Sequence, residues 1–363
     1  MDAIPMVDLK NQYLHIQPEI DNAIGQCLLR ADYIQGESVR DFECKLSDYT
    51  GFRQVIGCGN GTDAIQLALM AANLPKGSKV IVPAFTYIAP AEVVAFLGYE
   101  PVFADVDAKD FNITLQSIQA AFTADVKAII MVHLFGQLCK DTEVIYDFCL
   151  DKNILLIEDN AQSLGVEKNI LRNSITTTSF FPTKNLGAFG DGGAVLCNDE
   201  TLAETIRKIA SHGQSQKYIH DMVGINSRLD TMQAAILGVK LKHLDAYNQQ
   251  RRQHASFYHK RLKSLEAIEL PELSDNHIFH QFTIKVKDGK RDQLAGYLSD
   301  KKIASVVNYP LPVYQQGAYK QDLNLPNAER LCASSLSIPV YPEISETQLS
   351  YICDCIEEFC KTI

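Results

Sequence analysis

From residue 54 onward, short runs rich in Val and Ile alternate with stretches of helical spacing, and few folds accommodate that order. The candidate strands are 54–58, 79–84, 101–106, 127–133, 154–158, 178–181 and 192–197. Between them, 64–72, 89–97, 115–122 and 141–151 repeat apolar residues at helical intervals. Parallel strands need a long crossover and are buried on both faces, so this order predicts an α/β fold with a doubly wound, mostly parallel sheet. Residues 1–50 read as helical, with Ile20, Ile24 and Leu28, then Phe42 and Leu46, on inward faces.

Beyond the last strand the pattern gives a helix over 199–210, a polar loop, and one long helical stretch over 229–265 that connects two units. The segments 280–286 (HQFTIKV), 291–299, 304–310 (ASVVNYP), 336–340 and 345–360 then form a smaller α+β unit. The boundary falls within 240–266, dividing the chain into 1–245 and 246–363. The length of 363 residues suits two domains.

The charge sum is −10, with neither sign gathered into blocks, which argues against nonspecific nucleic-acid or anionic-membrane binding. The ten cysteines are scattered through apolar stretches without a CxxC pair, as expected of reduced thiols in the cytoplasm rather than metal ligands. The N-terminus lacks a basic segment followed by an apolar core, and no apolar run approaches the roughly 20 residues of a membrane span.

Ligands of open parallel sheets bind at the carboxyl ends of the strands, and four such places carry chemistry. Cys58-Gly-Asn-Gly-Thr-Asp-Ala64 joins a strand to a helix starting near Gly61 or Thr62, which is either a capped tight turn or a phosphate cradle built on the helix N-terminus. Asp159 follows the strand 154–158, as a helix cap or as the partner of a cationic ligand group. Lys184 sits among Phe180, Phe181, Pro182 and Leu186, where desolvation lowers an amine's pKa and makes it nucleophilic. Phe85-Thr86-Tyr87 places an aromatic where it can stack on a flat ring or pack in the core. A phosphate cradle, an acid, a desolvated lysine and an aromatic after strands of one sheet together describe a pyridoxal 5′-phosphate site.

The stretches GNGTDAIQLAL, PAFTYIAPAEVVAFLG, IEDNAQSLG, SFFPTKNLGAFGDGGAV and GINSRLDTMQAAIL closely resemble those of the DegT/DnrJ/EryC1/StrS sugar aminotransferases, fold type I enzymes dependent on pyridoxal phosphate. The resemblance is strong over residues 55–235 and weaker over the rest. It implies that Lys184 is the catalytic residue, linked to the cofactor as a Schiff base and then shuttling a proton. It implies that Asp159 meets the pyridinium nitrogen, Gln162 the ring hydroxyl and Tyr87 the ring face, while Gly61, Thr62 and Ser179 bind the phosphate. Asn226 would reach in from a neighbouring subunit, giving a homodimer with active sites at its interface.

Within that family, SFFPTK, LGAFGDGGA, the loop at His212-Gly213-Gln214 and VGINSRLDTMQAAIL are similar to those of enzymes that aminate C3 of a UDP-linked 2-acetamido-3-oxoglucuronate. The resemblance implies L-glutamate as amino donor, a nucleotide-linked oxo-sugar as acceptor, and a place in making an amino sugar for a surface polysaccharide such as O-antigen. Arg228, Asn308 and Tyr309 are the candidate substrate contacts; Arg228 serves a carboxylate or an inter-subunit salt bridge. Three departures bear on the sugar: Gln35 and Ser38 in a loop often read as YILGPE, Asn308 where a His often precedes Tyr-Pro, and a short Val166 to Ile175 segment. Amination at C4 of a dTDP- or UDP-linked sugar is the alternative. A dehydratase of this fold would carry His in place of Lys184, and a non-catalytic binding protein would be expected to lack Lys184 or Asp159.

Overall fold

The computed structural model describes residues 2–168 and 172–362. Three helices lead the chain: α1 (Leu9–His15), α2 (Gln17–Arg30) and α3 (Glu37–Thr50). Ile20, Phe42 and Leu46 are buried as their spacing predicts, but Leu28 is 53% exposed and Cys27 takes the inward position beside it. Helix α3 stops at Gly51, whose left-handed φ of 84° suits a residue without a β-carbon.

Strand and helix then alternate: β1 (Gln54–Cys58), α4 (Gly61–Ala72), β2 (Lys79–Pro83), α5 (Ala89–Phe96), β3 (Glu100–Ala104), α6 (Leu115–Ala121), β4 (Val126–Val132), α7 (Thr142–Lys152), β5 (Leu155–Asp159), β6 (Ile175–Ser179), β7 (Gly193–Cys197) and α8 (Glu200–Ala210). The strands form one sheet in the order β1-β7-β6-β5-β4-β2-β3. Every neighbouring pair is parallel except the two made by β7. Strand β7 therefore runs against the other six, whose carboxyl ends share one edge with the start of β7. Side chains alternate between two buried faces: Val80 and Val82 of β2 join the core under α4 and α5, while Ile81 joins Ile129 and Met131 in the core under α6 and α7.

The sheet is followed by a small hairpin of β8 (Gln214–Gln216) and β9 (Ile219–His220). The stretch read as one helix over 229–265 is α9 (Thr231–Lys240) and α10 (Leu244–Leu262) joined by a 3₁₀ turn. Leu244 packs with α3 and α9, whereas Ala255, Tyr258 and Leu262 enter a second core. That core lines an antiparallel sheet of β10 (Ile268–Glu269), β11 (Phe282–Val286) and β12 (Ser335–Ile338), covered by α11 (Arg291–Asp300) and α13 (Glu346–Cys360). A further helix, α12 (Pro326–Ser334), precedes β12.

Three local expectations differ. Strand β6 begins at Ile175 rather than 178, because the β-branched run Thr176-Thr177-Thr178 pairs with β5 and β7, leaving Phe180 and Phe181 in the loop. Residues 304–310 form no strand, and Val306 makes an isolated bridge to Ser337. Helix α12 was not anticipated: no residue beside it caps it, and its first amides, from Asn327 and Ala328, donate to the Asp105 carboxylate at 3.1 and 2.9 Å. Of the short segment Val166 to Ile175, residues 169–171 lie outside the described residues.

Among the described residues no helix is long and apolar enough to cross a membrane, and no cluster of His, Cys, Asp and Glu is arranged to hold a metal ion. The cysteines are free.

Candidate active site

The carboxyl edge of the large sheet gathers most of the residues singled out above. Asp159 ends β5 with its side chain buried. Its carbonyl accepts from the His133 amide at 3.0 Å and its Oδ1 from the Ala161 amide at 3.0 Å. Burial pushes the Asp159 carboxyl above the ordinary carboxylate range, opposed by the Ala161 bond and then by the Lys184 amine. Such a carboxylate is short of cationic partners.

Lys184 lies on the connection 180–192 between β6 and β7, which needs no crossover helix because the two strands are antiparallel. Its amide donates to Phe181 O at 2.8 Å, and the Ala188 amide closes the turn onto Phe180 O at 2.8 Å. Phe180 and Leu186 are buried while Phe181 is 49% exposed. Burial lowers the Lys184 amine from its usual value, and Asp159 is the charge that opposes the shift. A base depressed in this way keeps a larger neutral, nucleophilic fraction near neutral pH.

The loop after β1 ends at Asn60, whose Oδ1 caps α4 by accepting from the Asp63 amide at 2.8 Å. The amides of Gly61 and Thr62 open the helix and have no intrahelical acceptor. A β-carbon on Gly61 would stand 2.7 Å from Ser179 Cβ. The absence of a side chain here is what lets the end of β6 reach the first turn of α4, and the result is a cradle of amides and one hydroxyl at the positive end of a helix dipole. Sequence reasoning missed Ser227, which fixes this cradle from behind: its Oγ accepts from the Gly59 amide at 2.9 Å and donates to Asp63 Oδ2 at 2.6 Å.

On the opposite flank, Gln162 is buried, with Oε1 accepting from the Phe135 amide at 2.6 Å. The Tyr309 ring lies 5.8 Å from Phe85 and 6.4 Å from Tyr87, the latter 58% exposed. Asn308 donates to Gln281 Oε1 at 2.5 Å. Gly136, with φ 91°, permits a close crossing here, since a β-carbon on it would meet the His280 backbone nitrogen at 2.8 Å. His280, also missed from sequence, has a buried Nδ1 with no partner, and its imidazole is held well below the usual histidine range by burial and then by the charges of Lys184 and Arg251.

Asn226 and Arg228 are not part of this gathering within one chain. Asn226 is exposed and bridges Ser211. Arg228 lines a cavity of about 290 Å³ with Gln35, Arg40, Glu43, Arg207 and Ser227.

Behind β5 lies a buried ionic cluster whose members are far apart in sequence. His133 Nδ1 accepts from the Cys139 amide at 3.1 Å, so its Nε2–H is the donor to Glu158 Oε2 at 3.2 Å. Arg172 joins Glu158 at 3.2 Å and Glu167 at 2.6 Å, and also pairs with Glu143. Glu158 is adjacent to Asp159, so the cluster fixes the strand end that carries the acid.

Taken together, the edge offers a cradle of amides at a helix N-terminus, a buried carboxylate, a half-buried amine whose pKa burial lowers, and an exposed tyrosine ring. A flat ligand with a phosphate at one end, a protonated ring nitrogen and a carbonyl able to take up an amine matches that donor set.

Residues 14–357 match the profile of the DegT/DnrJ/EryC1/StrS aminotransferase family. The chain is 42% identical over 358 residues to the UDP-N-acetyl-3-dehydro-alpha-D-glucosamine 3-aminotransferase of Acidithiobacillus ferrooxidans, covering 96% of each. It is 39% identical over 357 residues to the UDP-2-acetamido-2-deoxy-3-oxo-D-glucuronate aminotransferase of Pseudomonas aeruginosa, covering 96% of this chain and 98% of that one. Among solved structures, S. venezuelae DesV in complex with a ketimine intermediate matches with a TM-score of 0.96 at 33% identity over 100% of both chains.

Proposed function

Since the chain belongs to the DegT/DnrJ/EryC1/StrS aminotransferase family, we propose a specific reaction for it: transfer of an amino group from L-glutamate to C3 of a UDP-linked 3-oxo-sugar. It is a nucleotide-sugar aminotransferase of the pyridoxal-phosphate fold type I, and its cofactor is pyridoxal 5′-phosphate. The observation that carries the aminotransferase reading is that Lys184 and Asp159 stand at one sheet edge, each shifted by burial and each opposing the other's shift.

In this assignment Gly61, Thr62 and Ser179 hold the cofactor phosphate, Asp159 the ring nitrogen, Gln162 the ring hydroxyl and Tyr87 the ring face. When bound, the cofactor supplies an electron sink for the charge left on a carbon that loses its proton. Lys184 supplies the amine that anchors the cofactor carbonyl, and then carries a proton to and from the reacting carbon through Nζ. Asp159, with Ala161 holding one of its oxygens, stays ionised against a cation and keeps the ring nitrogen protonated. Arg228, Asn308 and Tyr309 are assigned to the sugar or to the donor's carboxylates.

Asn226 and Arg228 fall outside the cluster of their own chain, which supports a homodimer in which each subunit completes its partner's site. The division into 1–245 and 246–363, a cytoplasmic location and a role in building a surface polysaccharide belong to the same reading. The C3 assignment and the UDP carrier rest on two relatives of similar identity that act on 3-oxo UDP-sugars.

The test is an absorbance spectrum of purified protein before and after adding L-glutamate. The visible band of the lysine-linked cofactor should collapse to a shorter wavelength and return when the correct oxo-sugar is added. A band that persists rejects glutamate as donor, and no band after incubation with the cofactor rejects the site assignment.

A further inference from the structure

We propose that Lys240 is a positioning residue that sets the location of the catalytic amine. From the end of α9 it holds the carbonyl of Gly187, and with it the turn that carries Lys184. The proposal rests on the aminotransferase reading for its effect on turnover, but not for its effect on the turn.

Lys240 is only 2% exposed, and its Nζ donates to Gly187 O at 2.5 Å, the acceptor it finds among the described residues. The ammonium also lies 5.4 Å from the centre of the Phe189 ring. The turn is gripped at two further points: Gln233, on the same helix, accepts from the Phe189 amide at 2.8 Å, and Asn185 donates to Leu164 O at 2.8 Å. Residues on both sides of Lys184 are thus tied to α9 and to the chain after β5, while among the described residues Lys184 itself makes just the local amide bond to Phe181.

An ammonium buried against one neutral carbonyl is a poor choice for packing alone, since an apolar side chain of similar length would fill the space without desolvating a charge. Its use is reach: Gly187 is buried, its carbonyl needs a donor, and α9 is a side chain's length away. The groups acting on Lys240 are Glu343, which favours its charge, and Arg251, which opposes it; burial dominates and brings the amine down to about 8. A loose turn lets the Lys184 amine wander from the reacting carbon, and small displacements of a catalytic group cost large factors in rate.

The experiment compares wild type with Lys240→Met, which keeps most of the apolar stem but loses the donor. Hydrogen exchange of the Lys184 and Ala188 amides, the two that close the turn, should quicken about tenfold or more, with α4 amides unchanged. In the holoenzyme kcat should fall about tenfold while KM for the oxo-sugar moves less than about twofold. Should Lys240→Met fail to fold, Lys240→Gln, one atom too short to span to Gly187, is read in the same way. Unchanged exchange of those amides in a folded variant overturns the proposal, as does unchanged kcat. A wild type without the visible cofactor band would overturn the aminotransferase reading instead, and the exchange data would still decide the role of Lys240 in the turn.

Discussion

A β-carbon placed on Gly61 would come within 2.7 Å of Ser179 Cβ, closer than two such atoms pack. The first turn of α4 and the end of β6 thus meet only because residue 61 has no side chain. Gly61→Ala should force them apart and weaken cofactor binding about tenfold or more, the loss of roughly one charge-assisted hydrogen bond. Titration of the apoenzyme with pyridoxal phosphate, followed by absorbance, reads this directly. An unchanged dissociation constant would mean that the phosphate is held elsewhere.

Lys184→Ala should lower turnover about a thousandfold or more, and Asp159→Asn about a hundredfold, both in proteins that still fold. The pair also makes an electrostatic prediction. Asp159 is the charge that holds the Lys184 amine up against burial, and removing a negative neighbour lowers a lysine's pKa. In apo Asp159→Asn, the rate of Lys184 acylation should therefore reach its plateau at lower pH than in apo wild type. A shift to higher pH would show that the two groups do not interact as described.

Glu158 gives a stability prediction in acid. Burial alone would raise its carboxyl, but the bond from His133, the Arg172 charge and the Ser174 hydroxyl bring it down to about 2 from an ordinary value of 4.5. A depressed folded value contributes stability that is complete above the unfolded value and is lost as the pH falls from about 4.5 toward 2. The full contribution is about 3 kcal/mol. Urea denaturation of wild type and Glu158→Gln should differ most above about pH 5 and converge only as the pH falls to about 2. A gap that does not depend on pH would assign the difference to packing.

Asp105→Ala tests the remote cap on α12. The change should cost about 1 kcal/mol of stability, the usual value of a lost helix cap, without altering kcat. Equal urea midpoints for the two proteins would show that water satisfies the Asn327 and Ala328 amides as well as Asp105 does.

The large sheet was legible because its strands are buried on both faces and announce themselves by composition, as at Val80-Ile81-Val82, and because helices separate them. Lys184, Asp159 and the Gly61 turn were visible for a related reason: each sits at the end of a strand or a few residues beyond it, so local sequence sets its position. What could not be read depends on distant pairings. Helix α12 lacks a cap of its own because Asp105 provides one. His133, Glu158 and Arg172 look like unrelated charged residues until β4 and β5 lie side by side. Ser227 is an ordinary serine until its hydroxyl reaches Gly59 and Asp63. The start of β6 is hidden in the same way, because Thr176, Thr177 and Thr178 become strand residues only through pairing with β5 and β7.

Strand β1 is the first strand to be synthesised, yet it docks at the far edge of the sheet and pairs only with β7, from Gln54 opposite Cys197 to Cys58 opposite Gly193. The partner that fixes it is the last strand of that sheet to be made, and such distant pairings form slowly. On the ribosome, the glycine turn at 59–61 therefore gains its sheet neighbour only once residue 197 has emerged from the exit tunnel, and its bond to Ser227 later still. Cofactor capture is deferred to the end of domain synthesis, and a nascent chain truncated before β7 should be unable to retain pyridoxal phosphate.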